Sequence, residues 1–295
     1  MKKTTPKKIV IIGGGTGTAT VLKGLRQYPL ELSAVVSMAD DGGSTGILRR
    51  ELGILPVGDI RQCLLALSDA EDSVKELFGY RFAEGSLSGH SAGNLLLAAL
   101  VKSTGDFEEA LAVASRMLDI KGEVIPVTLD LTTLGVIHGS DRVKVMGEHV
   151  IDDGLVLNQP REFFLEPRAQ ISSRARTAIL DADVIVIGPG SLATSLIPAL
   201  IVEGVRKAIG ESKAKIIYNV NLAPTPGQTE GFSVADYVKE IESYLPRKID
   251  FVTSGDALRD PSKVEKKAGD LLVRSSVRHN PEALGRVIME YIEAL

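Results

Sequence analysis

Cysteine, blocks of positive charge and long apolar segments are all scarce in this sequence. Its 295 residues include a single cysteine, Cys63, which excludes an internal disulfide framework and a cysteine-rich zinc site. The net charge is −4 and no basic block is present, which argues against a nucleic-acid surface. The apolar run after the basic start is too short for a signal peptide or a membrane span. We therefore expect a cytoplasmic protein without nucleic-acid or membrane partners.

Glycine-rich turns after short apolar runs are the main feature that the sequence does have. The run at 9–12 ends in Gly13, Gly14, Gly15, Thr16 and Gly17, and the run at 32–38 leads to Asp40, Asp41, Gly42, Gly43 and Ser44. A short apolar run beside glycines is typical of a strand buried on both faces of a parallel sheet. Glycines let the backbone approach a ligand, and the free N–H groups that begin the next helix attract phosphate. This pattern predicts a nucleotide-like ligand.

The first turn is a variant of the dinucleotide fingerprint G-x-G-x-x-G. Gly13 and Gly15 match its first two glycines, but the third position falls on Thr18 and Gly17 comes one residue early. The turn also lacks the Gly-Lys-Ser/Thr ending of a P-loop. The misplaced glycine disfavours an NAD-dependent oxidoreductase, and a turn that serves only strand–helix packing is the structural alternative.

The order of the predicted elements indicates a single α/β domain over residues 1–295. We predict a doubly wound, mostly parallel sheet with a Rossmann-like nucleotide site and a small antiparallel insertion. Residues from about 47 to 118 are predicted to be mostly helical, and a β-rich insertion is predicted from about 123 to 166. The segments 147–150 and 152–154 are predicted as turns within it. The last predicted elements are strands at 250–253 and 271–273 and a helix at 281–294.

Ligands of such sheets bind at the carboxyl ends of the strands, so four loops are expected to converge there. The loops are 13–17, 40–46, 188–191 and 219–231. Asp40 and Asp41 suit either the hydroxyls of a ribose or a magnesium ion beside a phosphate, and an Asp-rich turn is the plain alternative. Gly188, Gly190 and Ser191 repeat the pattern of the first turn and would offer N–H groups and a hydroxyl to an anion.

Residues 89–94 contain a serine in a G-x-S-x-G spacing. No strand directly precedes Ser91, which disfavours a hydrolase nucleophile because that motif depends on its strand–turn–helix context. We predict instead that Ser91 caps the following helix and that His90 or Asn94 faces the ligand cleft. The histidines have no zinc-binding spacing.

Several of these motifs occur together in an order that resembles a known family. They are Gly13–Gly17, Ala39–Ser44, Pro56–Arg61, Gly89–Asn94 and Gly188–Ser191, with Pro226–Gly231 and Arg278–Pro281 extending the match. The chain resembles the YvcK-type gluconeogenesis factors of the CofD-like superfamily, which includes the 2-phospho-L-lactate transferases. The resemblance covers nearly the whole chain.

The resemblance implies a nucleotide-binding regulator that supports cell shape and wall synthesis during gluconeogenic growth. Its implied ligand is UDP-N-acetylglucosamine or a similar nucleotide sugar, without a settled reaction. The alternative that it implies is a magnesium-dependent transferase, which moves a phospholactyl group from a guanylyl donor to a deazaflavin. Magnesium is the only cofactor that this resemblance implies. The protein partner and the oligomeric state, including a homo-oligomer, are left open.

The predicted site contains ligand-binding residues but no catalytic residue. The glycines of the two turns would hold the diphosphate, and Asp40 or Asp41 would hold ribose or magnesium. Polar contacts to the ligand are assigned to Asn94, Asn219 and Thr229. The whole ligand-binding set is Gly13, Gly14, Gly15, Thr16, Gly17, Asp40, Asp41, Gly42, Gly43, Ser44, Asn94, Gly188, Gly190, Ser191, Asn219 and Thr229.

Overall fold

The computed structural model of this protein describes residues 5–154, 161–225, 228–254 and 279–295. In chain order, strands β1 to β9 span Lys7–Gly13, Leu30–Val36, Glu123–Pro126, Thr133–His138, Val143–Met146, Arg161–Glu166, Val184–Ile187, Lys215–Asn219 and Phe251–Thr253. Helices α1 to α8 span Thr16–Leu25, Gly43–Leu52, Gly58–Leu67, Asp72–Gly79, Ala92–Thr104, Phe107–Met117, Glu148–Gly154 and Ser173–Asp181. Helices α9 to α12 span Ile197–Leu200, Val205–Glu211, Val234–Tyr244 and Pro281–Glu293, and a π-helical turn at Leu192–Leu196 precedes α9.

The main sheet has six parallel strands in the order β3-β2-β1-β7-β8-β9. Its central strands β1 and β7 carry apolar side chains that are buried whichever way they point, as Ile11, Ile12, Ile185 and Val186 illustrate. A strand buried on both faces needs cover on both sides of the sheet, which the helices between the strands provide. The predicted α/β fold with a mostly parallel sheet is confirmed.

A second sheet of three antiparallel strands, in the order β5-β4-β6, lies between β3 and β7 in the sequence. This sheet is the predicted antiparallel insertion, but it begins at β4. The start of the predicted insertion at about 123 is therefore wrong, because Glu123–Pro126 form β3 and pair in parallel with β2. Val124 and Ile125 are consecutive and both buried, which suits a parallel strand better than an alternating one. Pro126 is tolerated because β3 is an edge strand.

The structure differs from the prediction at the start of α2 and at α7. α2 begins at Gly43 rather than near residue 47, with a φ of +43° at Gly43 that favours glycine. The segments predicted as turns at 147–154 form most of α7 instead. Both oxygens of Asp41 accept hydrogen bonds from the backbone N–H groups that begin α7, at Glu148 and His149. This cap comes from a distant part of the chain, so local composition alone could not reveal it.

The remaining predicted elements agree closely with the structure where it describes them. The closing helix, predicted at 281–294, is α12, and the strand predicted at 250–253 is β9. The strand predicted at 271–273 lies outside the described residues, as do Pro226, Gly227 and Arg278 of the family motifs. Among the helices that are described, none has the length and apolar character needed to cross a membrane.

Candidate functional site

The two glycine turns meet near the middle of the main sheet. β1 lies between β2 and β7, so strand order reverses at this point, which is where sheets of this type bind ligands. Gly17 lies so close to the second turn that an added Cβ would be 1.6 Å from the carbonyl oxygen of Pro189. Any larger residue at position 17 would therefore push the turns apart. The structure thus brings the loops 13–17 and 188–191 into contact.

A groove of about 210 Å³ lies between these turns. Its lining includes Thr16, Gly17 and Thr20 of α1, together with Gly190, Ser191 and Asn221 from the facing loops. A larger cavity of about 420 Å³ lies at the opposite, amino ends of β1, β2 and β3 and is lined by charges of both signs. We place the candidate site at the groove, because parallel sheets bind ligands at their carboxyl ends.

A carboxyl group that the sequence analysis left outside the site lies beside the first turn. Asp59, in the first turn of α3, accepts a hydrogen bond from the backbone N–H of Gly15. Gln62 Nε2 donates to Asp59 Oδ1 at 3.4 Å, and Thr16 Oγ1 donates to Gln62 Oε1 at 2.7 Å. Burial and the nearby charge of Asp40 raise the pKa of Asp59 to about 7. The turn therefore has an ionisable acid as its neighbour.

The two predicted acids of the second loop have different environments. Asp40 Oδ1 accepts a hydrogen bond from the N–H of Gly42 at 3.0 Å, and burial raises the pKa of its carboxyl group. Asp41 accepts from the two N–H groups of α7 at 3.0 and 2.9 Å, so both of its oxygens have a structural role. Contact of either acid with a ligand or a metal stays a prediction. Asp40, unlike Asp41, does not cap a helix.

The first turn of α7 adds another acid to the same region. Burial, together with the charges of Asp40, Asp152 and Asp41, raises the pKa of Glu148 to about 8. Asp152 accepts hydrogen bonds from Thr194 Oγ1 and Gln228 Nε2 at 3.1 and 2.9 Å. Sequence analysis missed Glu148 and Asp152 because they lie in the segment that was predicted as turns of the insertion.

These acids restrict what can bind beside them. An anionic phosphate would be repelled by ionised carboxylates unless they were protonated or a cation lay between. Within the described part of the chain, no group of three or more His, Cys, Asp or Glu residues could hold a metal. Magnesium is nevertheless commonly held by only one or two carboxylates plus substrate phosphates. Asp40 and Asp59, whose charges interact, are the two carboxylates considered below for such a role.

The polar groups of the second glycine turn have partners inside the protein. The N–H of Gly188 donates to the carbonyl oxygen of Ile12 at 3.0 Å, and the N–H of Gly190 donates to Asn221 Oδ1 at 2.8 Å. Ser191 caps the π-helical turn by accepting from the N–H of Thr194 at 3.3 Å. These bonds shape one wall of the groove. Direct contact of this turn with a ligand stays a prediction.

Asn219 and Thr229 are both buried, with exposed fractions of 0% and 1%. Asn219 Oδ1 accepts from Thr253 Oγ1 at 2.6 Å. Thr229 Oγ1 accepts from the N–H of Thr225 at 2.8 Å and from the hydroxyl of Tyr237 at 2.6 Å. Their bonds join β8 to β9 and hold the loop before α11. The structure assigns them supporting bonds, and their predicted ligand contacts remain predictions.

Asn94 and Ser44 lie next to each other, as part of a hydrogen-bonded chain of polar side chains. Arg61 Nε donates to Asn94 Oδ1 at 2.9 Å, and Asn94 Nδ2 donates to Ser44 Oγ at 3.3 Å. Ser44 Oγ lies 3.0 Å from His90 Nδ1. Ser91 occupies the N-cap position of α5, but its hydroxyl donates to the carbonyl oxygen of Phe78 at 3.5 Å instead of capping the helix.

Comparisons with known proteins agree with this fold over nearly the whole chain. Residues 9–293 match the sequence profile described as "2-phospho-L-lactate transferase CofD". The gluconeogenesis factor of Listeria innocua is 37% identical over 307 residues, covering 99% of this chain and 89% of its own length. The gluconeogenesis factor of Bacillus subtilis is 42% identical over 241 residues, covering 81% and 75%.

A crystal structure of a UPF0052 family protein from Bacillus halodurans has a TM-score of 0.84 and 34% sequence identity to this chain. The match covers 97% of this chain and 99% of that one. The same fold therefore extends over both molecules. On this evidence the chain belongs to the CofD family, among its gluconeogenesis-factor relatives.

Proposed function

We propose that this protein binds a nucleoside diphosphate sugar, such as UDP-N-acetylglucosamine, in the groove between the two glycine turns. In this role it acts as a regulator that supports cell shape and wall synthesis during growth on gluconeogenic carbon. The name shared by its relatives, gluconeogenesis factor, supports the link to gluconeogenic growth. The close contact of Gly17 with Pro189 at the strand-order reversal is the observation that carries the binding part.

The start of α1 is the part of the groove best suited to the diphosphate. The first N–H groups of a helix have no partners within it and lie at the positive end of its dipole. α1 has no acidic residue in its first turn, and Gly15 precedes it without a capping side chain. Thr16 and Thr20 add hydroxyl groups on the groove side of the same helix.

The neighbouring acids make the proposed binding dependent on positive charge. Asp40 and Asp59 would hold a magnesium ion, whose charge offsets that of the ligand phosphates when it is bound. Without a cation, Asp59 must be protonated to avoid repelling the diphosphate. Its raised pKa of about 7 brings that protonation near neutral pH.

Calorimetric titration with UDP-N-acetylglucosamine, GDP and NAD, with and without magnesium, tests this proposal. We expect selective binding of the UDP sugar, strengthened by magnesium and unchanged in composition after hours of incubation. Asp40→Asn should reduce the magnesium dependence, whereas Asp141→Asn, at an exposed turn, is the matched control. Equal or absent binding of the three nucleotides would refute the proposal.

A transferase is the second candidate, favoured by the family description and by two acids with pKa values near neutrality. Such acids are suited to moving protons, while phosphoryl-type transfer depends mainly on positioning and charge neutralisation. Magnesium-dependent turnover of a guanylyl donor with a deazaflavin acceptor would establish this alternative. Preference for GDP over the UDP sugar in the titration would be its first sign.

A further inference from the structure

A second polar cluster lies outside the groove, at the junction of α2, α3 and α5. We define the Ser44–His90 cluster as Ser44, Arg61, Arg81, His90 and Asn94. Ser44, His90 and Asn94 are buried, Arg61 is half-buried and Arg81 is exposed. Neither the nucleotide groove nor the acids around Asp40 account for this combination of a serine, a histidine and two arginines.

The hydrogen bonds of this cluster run in one direction, from Arg61 through Asn94 to Ser44. A guanidinium group can only donate, so the oxygen of Asn94 faces Arg61 and its NH₂ group faces Ser44. Ser44 Oγ in turn lies 3.0 Å from His90 Nδ1, within hydrogen-bond distance. The chain of bonds therefore orients the imidazole.

Two positive charges lie close together beside this chain. Burial and the charge of Arg81 lower the pKa of Arg61, while the charge of Asp59 acts in the opposite direction. Among the described residues, neither arginine forms an ion pair with a carboxylate. Their protein partners are neutral: Arg61 also donates to the carbonyl oxygen of Phe78 at 3.2 Å, and Arg81 donates to that of Gly89.

The local backbone is shaped to admit the guanidinium of Arg61. A Cβ added to Gly93 would lie 2.6 Å from Arg61 Cδ and 2.3 Å from the carbonyl oxygen of Phe78. Glycine at this position therefore lets α5 approach both groups. Ser44 is also in the first turn of α2, where N–H groups and the helix dipole favour an anion.

We propose that the Ser44–His90 cluster binds the phosphoryl group of a small phosphorylated metabolite. Two guanidinium groups match the two negative charges of a phosphate monoester, and guanidinium geometry suits its oxygens. The imidazole of His90 and the α2 backbone would supply further donors. The inference goes beyond the proposed function because it adds a second bound group, and it holds whether or not a nucleotide occupies the groove.

Nuclear magnetic resonance of the histidine rings provides a direct test, because the chain has only four histidines. The probe is inorganic phosphate added to the full chain at constant ionic strength, with sulfate and chloride as parallel additions. His90→Gln identifies the His90 signal. We expect phosphate and sulfate to shift this signal in a saturable manner, with chloride ineffective and the signal of His138, in β4 of the second sheet, unaffected.

Arg81→Gln is the decisive variant because Arg81 is exposed and its loss need not disturb the fold. We expect it to weaken phosphate binding by about tenfold, the loss of one charge-assisted contact. Arg142→Gln, which removes another exposed arginine, is the matched control and should leave the affinity unchanged. Equal weakening by both variants would show simple charge attraction and overturn the proposal, as would a His90 signal that phosphate does not shift.

A repeat of the titration with UDP-N-acetylglucosamine present separates this proposal from the previous one. Unchanged phosphate affinity supports two distinct sites. Competition would mean that the nucleotide phosphates occupy the Ser44–His90 cluster, which overturns the second site. If no nucleotide binds but phosphate still shifts His90 in an Arg81-dependent manner, the proposed function fails and this inference stands.

Discussion

The acidic and the cationic halves of this edge of the sheet bury like charges in different ways. Around Asp40, Asp59 and Glu148, burial and mutual repulsion raise the pKa values of the acids, so they can take up protons. Around Arg61 and Arg81 the guanidinium groups stay charged even where the pKa is lowered. The acids can thus be neutralised by protonation. The arginines stay charged, so their stabilisation depends on neutral hydrogen-bond acceptors and on an anion.

Both halves depend on α3, which carries Asp59 and Arg61 two residues apart. Asp59 contacts the first glycine turn, and Arg61 contacts Asn94 at the start of α5. The position of this helix therefore fixes one acid and one cation at the same edge. Substitutions on α3 and its contacts are the sharpest way to separate the two halves.

The largest expected effect is on the acidic half, through Asp59→Asn. The unfolded chain releases the Asp59 proton at about pH 4, whereas the folded state keeps it up to about pH 7. The free energy of unfolding therefore falls as the pH rises from about 4 to about 7. The substitution should remove this penalty, with an upper limit of about 4 kcal/mol at about pH 8 and little change at about pH 4. Urea denaturation at several pH values measures it.

Asp141→Asn, which removes an exposed carboxyl group, is the control and should leave the pH dependence unchanged. A variant of Asp59 that keeps the full decline of stability between about pH 4 and pH 7 would assign that decline to other groups. Glu148→Gln would then be the next substitution, because the pKa of Glu148 is also raised, to about 8.

A smaller effect of opposite sign is expected in the cationic half, from Arg61→Leu. The change leaves Asn94 Oδ1 without its donor and leaves the carbonyl oxygen of Phe78 with only the long bond from Ser91 Oγ, which should lower the free energy of unfolding by about 2 kcal/mol. Arg81→Leu removes an exposed charge and should change it by less than about 0.5 kcal/mol. Both are measured by urea denaturation near neutral pH.

Stabilisation by Arg61→Leu would contradict this view of the cationic half. It would mean that repulsion between the two guanidinium groups outweighs the hydrogen bonds that Arg61 makes. Addition of phosphate to the unmodified protein would then be expected to raise its midpoint of unfolding more than it raises that of the variant.

Among the variants that should change stability measurably, Asp41→Ala has the smallest expected effect. It removes the acceptor for the first N–H groups of α7, which should lower the free energy of unfolding by about 1 kcal/mol. Asp40→Ala removes no helix cap, so its main effect should be on magnesium-dependent nucleotide binding. A loss of nucleotide affinity in Asp41→Ala that exceeds the loss in Asp40→Ala would reverse these two assignments.

Sequence patterns predicted the main sheet because local composition and burial agree there. Runs such as Ile9–Ile12 and Val184–Ile187 are continuously apolar, and such runs have few alternatives to a parallel strand buried on both faces. Since the carboxyl ends of parallel strands lie on one edge, the meeting of the turns at Gly17 and Pro189 followed from the order of the elements. The motif at 89–94 likewise placed Asn94 at the start of a helix.

The sequence by itself therefore determined the α/β fold with its mostly parallel sheet, the glycine turns and the family. Tertiary structure decided that Asp41 caps α7, that Asp59 lies beside the first turn, and that Arg61, Asn94, Ser44 and His90 form one hydrogen-bonded chain. Local sequence patterns indicate how a segment is exposed to solvent and how its own backbone is hydrogen-bonded. Hydrogen bonds and pKa values depend on groups that are distant in sequence, and only the folded chain brings those groups together.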